Sequence, residues 1–305
     1  MSAVAFQFPG QASQYVGMAR DLYEAYPLAQ ELFAEAQEIL GYDLAEVCFN
    51  GPEERLKQTA ITQPAIFVHS AIVGAVLTER GVVPDMAAGH SLGEYSALVA
   101  AGAMTFAQAL RVVKERGRLM QEAGTIAPGT MAAIIGLDES TVAELCAEAC
   151  KAGIVQPANY NCPGQIVVSG AVPAVKQAME LARARGAKRA VELVVSGAFH
   201  SPLMEHARSR MEDVLQAAEI SDARIPVYAN VTARPVQKAA DIRKLLWEQL
   251  SRPVLWQATI QNMIADGATV FYEVGPGNVL TGLLKRTNKE VPGRTVGTRE
   301  ELAQL

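Results

Sequence analysis

The sequence predicts an α/β protein in which a large domain is interrupted by a smaller one. Three observations carry that prediction. Short apolar segments at 4–8, 82–88, 227–230 and 269–274 alternate with longer stretches of helical spacing, as strands and helices packed in layers do. The stretch Ala88-Gly89-His90-Ser91-Leu92-Gly93-Glu94 places G-x-S-x-G between one such strand and an Ala- and Leu-rich helix. Between residues 130 and 194 the order changes to β-α-β-β-α-β. At 305 residues the chain has room for one or two domains.

Val4 to Phe8 reads as a buried strand and Pro9-Gly10-Gln11-Ala12-Ser13-Gln14 as the turn after it, where Gly10 lets the backbone approach a ligand closely. Helical spacing predicts helices from about Gly17 to Ala25 and from Pro27 to Leu40. Thr62-Gln63-Pro64 then opens an apolar helix from Ala65 to Glu79, with proline near its first turn. His69 lies on it among Phe67, Ile72 and Val73 and reads as a packed core histidine. Val82 to Ala88 is the next strand, and Glu94 to Ala101 the helix after the serine turn. Thr105 to Ala123 is a helix carrying Arg111, Lys114, Arg116 and Arg118, and Gly124 to Gly129 is a break.

Thr130 to Gly136 is then a strand, Asp138 caps a helix running through Cys150, and Val155 to Tyr160 is a strand. Asn161-Cys162-Pro163-Gly164 is a turn, followed by a strand (Gln165 to Ser169), a helix (Val172 to Arg185) and a strand (Arg189 to Val194). This is the split-βαβ, ferredoxin-like order. It assigns residues 126–196 to an inserted unit and residues 1–125 with 197–305 to the main domain. The main domain resumes near Ser196 with a helix from Pro202, the strand Val227 to Asn230 and a helix over Ile242 to Leu250. The last strand, Thr269 to Val274, ends at Gly275-Pro276-Gly277.

Half of the residues are hydrophobic and 19% are charged, which suits a globular enzyme. A net charge of -5 argues against a nucleic-acid partner. Cys48, Cys146, Cys150 and Cys162 form no C-x-x-C pair, and no histidine near Cys146 and Cys150 completes a metal site. They read as reduced thiols of a cytoplasmic protein with no metal. The N-terminus lacks the pattern of a signal peptide, and no apolar run reads as long enough to span a membrane.

The chemistry converges on Ser91. A G-x-S-x-G turn from strand to helix is a nucleophile elbow, whose crowding is relieved at Gly89 and Gly93 by the absence of Cβ. The turn exposes the serine hydroxyl and sets the Leu92 N–H at a helix N-terminus, where an oxyanion is favoured. A serine nucleophile needs a base, and the chain has four histidines. His69 belongs to the core, His90 diverges from Ser91 at the sharp turn, and His206 lies on a solvated helix face. His200, in Ser196-Gly197-Ala198-Phe199-His200-Ser201-Pro202, sits at a domain junction just before a helix and is the candidate base. Serine before histidine matches the chain order of α/β hydrolases, but no acid between them is obvious: Asp138 and Glu144 fall in the inserted unit. Any carbonyl that accepts the Nδ1–H could orient the ring instead.

Seven ordered motifs extend this reading along essentially the whole chain. They are Phe8-Pro9-Gly10-Gln11-Ala12-Ser13-Gln14, Thr62-Gln63-Pro64, Gly89-His90-Ser91-Leu92-Gly93-Glu94, Arg116-Gly117, Pro157-Ala158-Asn159-Tyr160-Asn161, Gly197-Ala198-Phe199-His200-Ser201 and Glu273-Val274-Gly275-Pro276-Gly277. In these the chain resembles the malonyl-CoA:acyl carrier protein transacylases and the related acyltransferase domains of polyketide synthases. The resemblance implies an α/β-hydrolase-like core with a ferredoxin-like insert. It implies Ser91 as the acylated nucleophile, His200 as its base and the backbone carbonyl of Gln249 as the group that orients His200. It implies an oxyanion hole from the N–H groups of Gln11 and Leu92. Arg116 would clamp the malonyl carboxylate, with Gln63, Asn159 and Phe199 in the substrate site. Without the resemblance, Arg116 reads as one more surface arginine. Phe199 resembles the malonyl-selective members, since a bulky ring there crowds a 2-methyl branch.

The resemblance further implies malonyl-CoA and an acyl carrier protein as partners, and no metal or redox cofactor. Other function classes fit the same elbow: a serine hydrolase of acyl thioesters, or a non-catalytic scaffold. Carrier proteins of this kind are acidic and this chain is net negative, so docking needs a local basic patch; Lys188, Arg189, Lys285 and Arg286 are its candidates.

Overall fold

The structure, a computed structural model, describes residues 3–305. The elements in chain order are β1 (Ala3–Phe8), α1 (Arg20–Ala25), α2 (Pro27–Leu40), α3 (Leu44–Asn50), α4 (Glu53–Leu56), α5 (Thr59–Glu79), β2 (Met86–Gly89), α6 (Gly93–Ala100) and α7 (Phe106–Ile126). Then come β3 (Gly129–Ile135), α8 (Glu139–Ala149), β4 (Val155–Cys162), β5 (Gln165–Ala171), α9 (Val172–Ala184) and β6 (Arg189–Glu192). The chain ends with α10 (Glu205–Ala217), β7 (Val227–Tyr228), β8 (Pro235–Val236), α11 (Ala239–Gln249), α12 (Trp256–Ala265), β9 (Ala268–Val274), α13 (Val279–Thr287), β10 (Gly293–Val296) and α14 (Arg299–Ala303).

Two sheets organise these elements. The larger is mixed, in the order β10-β9-β1-β2-β7-β8, and only its edge strand β8 runs antiparallel to its neighbour. β1 is central, and its last residue, Phe8, pairs with Gly89 at the end of β2. The loop after β1 and the serine turn after β2 therefore leave the sheet side by side, at the carboxyl ends where α/β sheets place their ligands. The smaller sheet is antiparallel, in the order β4-β5-β3-β6. It has an apolar cluster of its own, with Ile134, Val142, Leu145, Ile166, Val168 and Val175, against α8 and α9. Met131 and Val167 join the main apolar cluster, with Phe6 and Phe8 of β1, instead.

The structure moves several expected boundaries. α5 starts at Thr59, so Pro64 lies inside it rather than near its first turn. Proline reads as a start signal in sequence, but Gln58 already accepts from the N–H groups of Ile61 and Thr62. At 21 residues α5 is long and apolar enough to cross a membrane by length and composition, contrary to expectation. Its apolar window is 72% buried within the protein, against α7 and α2 among others, so it is a core helix. α7 continues through Gly124, where a break was expected. Gly124 is there for packing: a Cβ would collide with the Ser196 carbonyl, where the chain returns from the small sheet. β6 ends at Glu192, two residues early, which frees Leu193, Val194 and Val195 to line a cavity. The helices α3, α4, α12, α13 and α14 and the strands β8 and β10 were not anticipated.

Candidate active site

Ser91 sits at the turn from β2 into α6 with φ of 52°, a left-handed conformation that costs a non-glycine residue strain. The turn is possible because Gly89 and Gly93 press together; a Cβ on Gly89 would overlap the Gly93 carbonyl group, and one on Gly93 would overlap the Phe8 carbonyl. Asn230, just after β7, braces it. Its Oδ1 accepts from the Ser91 N–H at 2.7 Å and its Nδ2 donates to the Gly89 carbonyl at 2.7 Å.

His200 also adopts a positive φ, 58°, in the loop before α10. Its Nε2 lies 2.8 Å from Ser91 Oγ, and its Nδ1 lies 2.7 Å from the backbone carbonyl of Gln249 at the end of α11. A carbonyl only accepts, so Nδ1 carries the proton and the Nε2 lone pair faces the serine hydroxyl. Burial, and then the Arg116 charge, lower the His200 pKa to about 3, which keeps the ring neutral and able to take a proton. Gln156 on β4 holds the loop by donating to the His200 carbonyl at 2.9 Å.

Arg116 lies on α7, yet it is buried rather than on the surface. Its Nη1 donates to Gln63 Oε1 at 2.8 Å, and its Nη2 donates to Gln249 Oε1 at 2.8 Å and to Ser91 Oγ at 3.1 Å. Its guanidinium carbon stands 5.6 Å from the Tyr95 ring centroid. Burial lowers its pKa. Among the described residues no carboxylate forms an ion pair with it, and its Nε has no partner.

The remaining residues singled out in sequence sort as follows. Gln11, Leu92, Gln63, Asn159 and Phe199 line one cavity of about 500 Å³ with Ser91, His200 and Arg116. Neither the Gln11 nor the Leu92 N–H has an acceptor among the described residues. Asn159 is buried there with its Oδ1 unpartnered. Gly10 lines the same cavity and also packs against the His90 carbonyl, bringing the loop after β1 onto the serine turn. His69 is buried with Nε2 2.6 Å from the Gly297 carbonyl, and burial lowers its pKa to about 4. His90 turns away to Asn161 Oδ1 at 2.9 Å, beside the Trp256 ring. His206 is half-buried and meets Glu122 at 3.2 Å, so its helix face is less solvated than expected. The small sheet contributes Met131, Ala133, Asn161, Gln165 and Val167 to the cavity, and α13 contributes Val279, Leu280 and Leu283.

Sequence reasoning missed Asn230, the Gln249 side chain and Glu94. Gln249 Nε2 donates to the Ser91 carbonyl at 3.0 Å and to Glu94 Oε2 at 2.8 Å. Asn230 is the last residue of the predicted strand, and Glu94 closes the elbow motif; neither residue type announced a contact with the serine turn. The arrangement holds a neutral histidine and a cation on one hydroxyl, with free N–H groups beside it. It can activate a serine for acyl transfer and hold an anionic acyl group.

Comparison with known proteins bears on that chemistry. The acyl transferase domain family matches residues 5–302. The chain is 46% identical over 303 residues to the malonyl CoA-acyl carrier protein transacylase of Bacillus subtilis, covering 99% of this chain and 96% of that protein. It is 46% identical over 287 residues to the protein of the same name from Escherichia coli K12, covering 94% and 93%. A solved complex of a type II PKS acyl-carrier protein with its malonyl-transacylase matches with a TM-score of 0.96 at 43% identity, over 99% of this chain and 98% of that one. The malonyl CoA-acyl carrier protein transacylase of Coxiella burnetii matches with a TM-score of 0.96 at 40% identity, over 99% and 96%.

Proposed function

This chain belongs to the family of acyl transferase domains, and from that premise we propose that it carries malonyl groups from coenzyme A to the phosphopantetheine thiol of an acyl carrier protein through an ester on Ser91. The observation that carries the reading is Arg116, a buried cation with no ion-pair partner, fixed 3.1 Å from the nucleophile. A malonyl thioester brings the missing carboxylate, and a planar guanidinium suits it because its fork donates two parallel hydrogen bonds.

His200 Nε2 takes the Ser91 proton as Oγ attacks the thioester carbonyl. The Gln11 and Leu92 N–H groups receive the oxyanion, a contribution of about 3 kcal/mol per donor. The C–S bond breaks, the coenzyme A sulfur takes the proton from His200, and the malonyl ester remains on Ser91. The carrier thiol then gives its proton to His200 and attacks the ester, and Ser91 recovers its hydrogen. The Gln249 carbonyl holds the imidazole through both steps, the role an acid fills in other triads. In this reading the unpartnered Asn159 Oδ1 accepts from the substrate arm, and Phe199 narrows the pocket beside the malonyl carbon. No step calls for a metal or a redox cofactor.

We assign residues 126–196 to a ferredoxin-like insert and residues 1–125 with 197–305 to an α/β-hydrolase-like core. The separate apolar cluster of the small sheet and its strand order support the division. Four unpaired cysteines suit the reducing cytoplasm.

Mass spectrometry after mixing with malonyl-CoA tests the scheme. One malonyl adduct is expected on Ser91, discharged by added carrier protein, with none on Ser91→Ala. An adduct that survives in Ser91→Ala moves the nucleophile elsewhere. Steady release of malonate without carrier protein makes the protein a hydrolase.

A further inference from the structure

Glu94 lies in the first turn of α6 and is buried, and the reaction above leaves it without a role. It is nonetheless two hydrogen bonds from the guanidinium read as the clamp. Its Oε2 accepts from Gln249 Nε2 at 2.8 Å and from the Asn230 N–H at 3.1 Å. The same Gln249 amide presents Oε1 to Arg116 Nη2 at 2.8 Å. A guanidinium only donates and an ionised carboxylate only accepts, so the amide is oriented from both ends. A buried cation is costly without a counter-charge, and Glu94 is the carboxylate whose charge reaches Arg116.

We infer that Glu94 is a positioning residue, the counter-charge of Arg116 acting through Gln249 in the free enzyme, and that a bound malonyl carboxylate takes over that role while Glu94 gains a proton from solvent. The inference rests on the malonyl reading of Arg116. Two carboxylates would otherwise share one buried cation, and like charges in one low-dielectric site cannot both ionise cheaply. Burial already raises the Glu94 pKa to about 7, against the hydrogen bonds and the Arg116 charge that lower it. The charged or titratable groups facing it are Arg116 from α7 and Tyr95 beside it on α6. The end of β7 and the end of α11 present the amides of Asn230 and Gln249, and His69 of α5 is turned to the Gly297 carbonyl.

The sign follows. Below about pH 7 Glu94 is already protonated and malonyl binding takes up no proton. Above it, binding takes up one, and affinity falls by up to about tenfold per pH unit. An acetyl group carries no carboxylate and takes up none.

The test uses non-transferable amide analogues of malonyl- and acetyl-CoA, titrated calorimetrically at pH 8 in buffers of different ionisation heat. The unaltered protein should take up close to one proton per malonyl analogue bound and none with the acetyl analogue. Glu94→Gln keeps an oxygen that accepts from Gln249 and Asn230 but cannot titrate. Its affinity for the malonyl analogue should be flat from pH 6.5 to 8.5. Tighter binding of the malonyl than the acetyl analogue with no proton uptake, or an unchanged pH slope in Glu94→Gln, overturns the inference and spares the malonyl reading. Equal binding of both analogues at pH 6.5 overturns both.

Discussion

Two buried groups reach the Ser91 hydroxyl, and they are held in different ways. His200, at 2.8 Å, is fixed by a backbone carbonyl and needs no charge nearby. Arg116, at 3.1 Å, is fixed by the side-chain oxygens of Gln63 and Gln249. Gln249 serves both, its main chain on the base and its side chain on the cation. The difference separates chemistry from recognition. The base must keep one tautomer whatever acyl group is present, and a backbone carbonyl, which cannot titrate or rotate freely, secures that. The cation must meet a partner that comes and goes, and neutral amides contact it directly, with the Glu94 carboxylate one amide removed.

If the division is right, the two sides fail differently. His200→Ala should lower turnover by about 10²–10⁴, the usual share of general acid–base catalysis, with malonyl and acetyl substrates slowed alike and binding nearly intact. A fall in affinity at unchanged turnover would make His200 a packing residue. Arg116→Ala should cost malonyl transfer about 3–5 kcal/mol, the scale of breaking a buried pair, or roughly two to four decades in kcat/KM. Acetyl transfer should hold or rise, because the buried cation is gone. Parallel rates for acetyl- and malonyl-CoA in a mutant of unchanged melting temperature check this, and an equal loss of both removes Arg116 as the clamp.

The chemistry side was the more legible in sequence. The elbow is a local steric demand, and Gly89 and Gly93 state it in residue types. His200 follows from four histidines, three of which have other occupations. What orients His200 and what is proposed to receive the oxyanion are backbone atoms, on which side-chain identity has no hold; the elbow pointed to the Leu92 N–H, and only the resemblance supplied Gln249 and Gln11. Without the resemblance Arg116 misled, because it shares its helix with Arg111, Lys114 and Arg118, and Arg118 does pair on the surface with Glu122. Its burial depends on how closely α7 meets α5. Gly117 makes that approach possible, since a Cβ there would lie 3.0 Å from the Thr59 carbonyl. In the fold, α12 and α13 went unread although Trp256, Ile260 and Met263, and Leu280 and Leu284, recur at helical spacing. β8 spans only two residues, Pro235 and Val236, too few for alternation to register.

The smallest expected effect lies farthest from Ser91 and concerns the second half-reaction alone. Ile135 pairs with both Gln165 and Arg189, so one end of the small sheet gathers Arg189, Lys188 and the 163–164 turn. Arg286 of α13 reaches the same turn, hydrogen-bonding Gln165 and the Pro163 carbonyl, and Gln165 lines the cavity. Lys188, Arg189 and Arg286 are exposed, as is Lys285 beside Arg286. On a chain of net charge -5 this is a local basic rim where an acidic carrier would arrive. Rim charges act on association rate more than on the bound state. Reversing Lys188 and Arg286 together to Glu should slow discharge of the malonyl-enzyme to carrier protein by about tenfold at low salt, and less as salt screens the charges. Self-acylation by malonyl-CoA should be spared, because its reacting groups lie inside the cavity. Stopped-flow measurement of each half-reaction across salt concentrations decides it. Equal loss in both halves, or a discharge rate indifferent to salt, would leave the rim as ordinary solvated charge and place the carrier on another face.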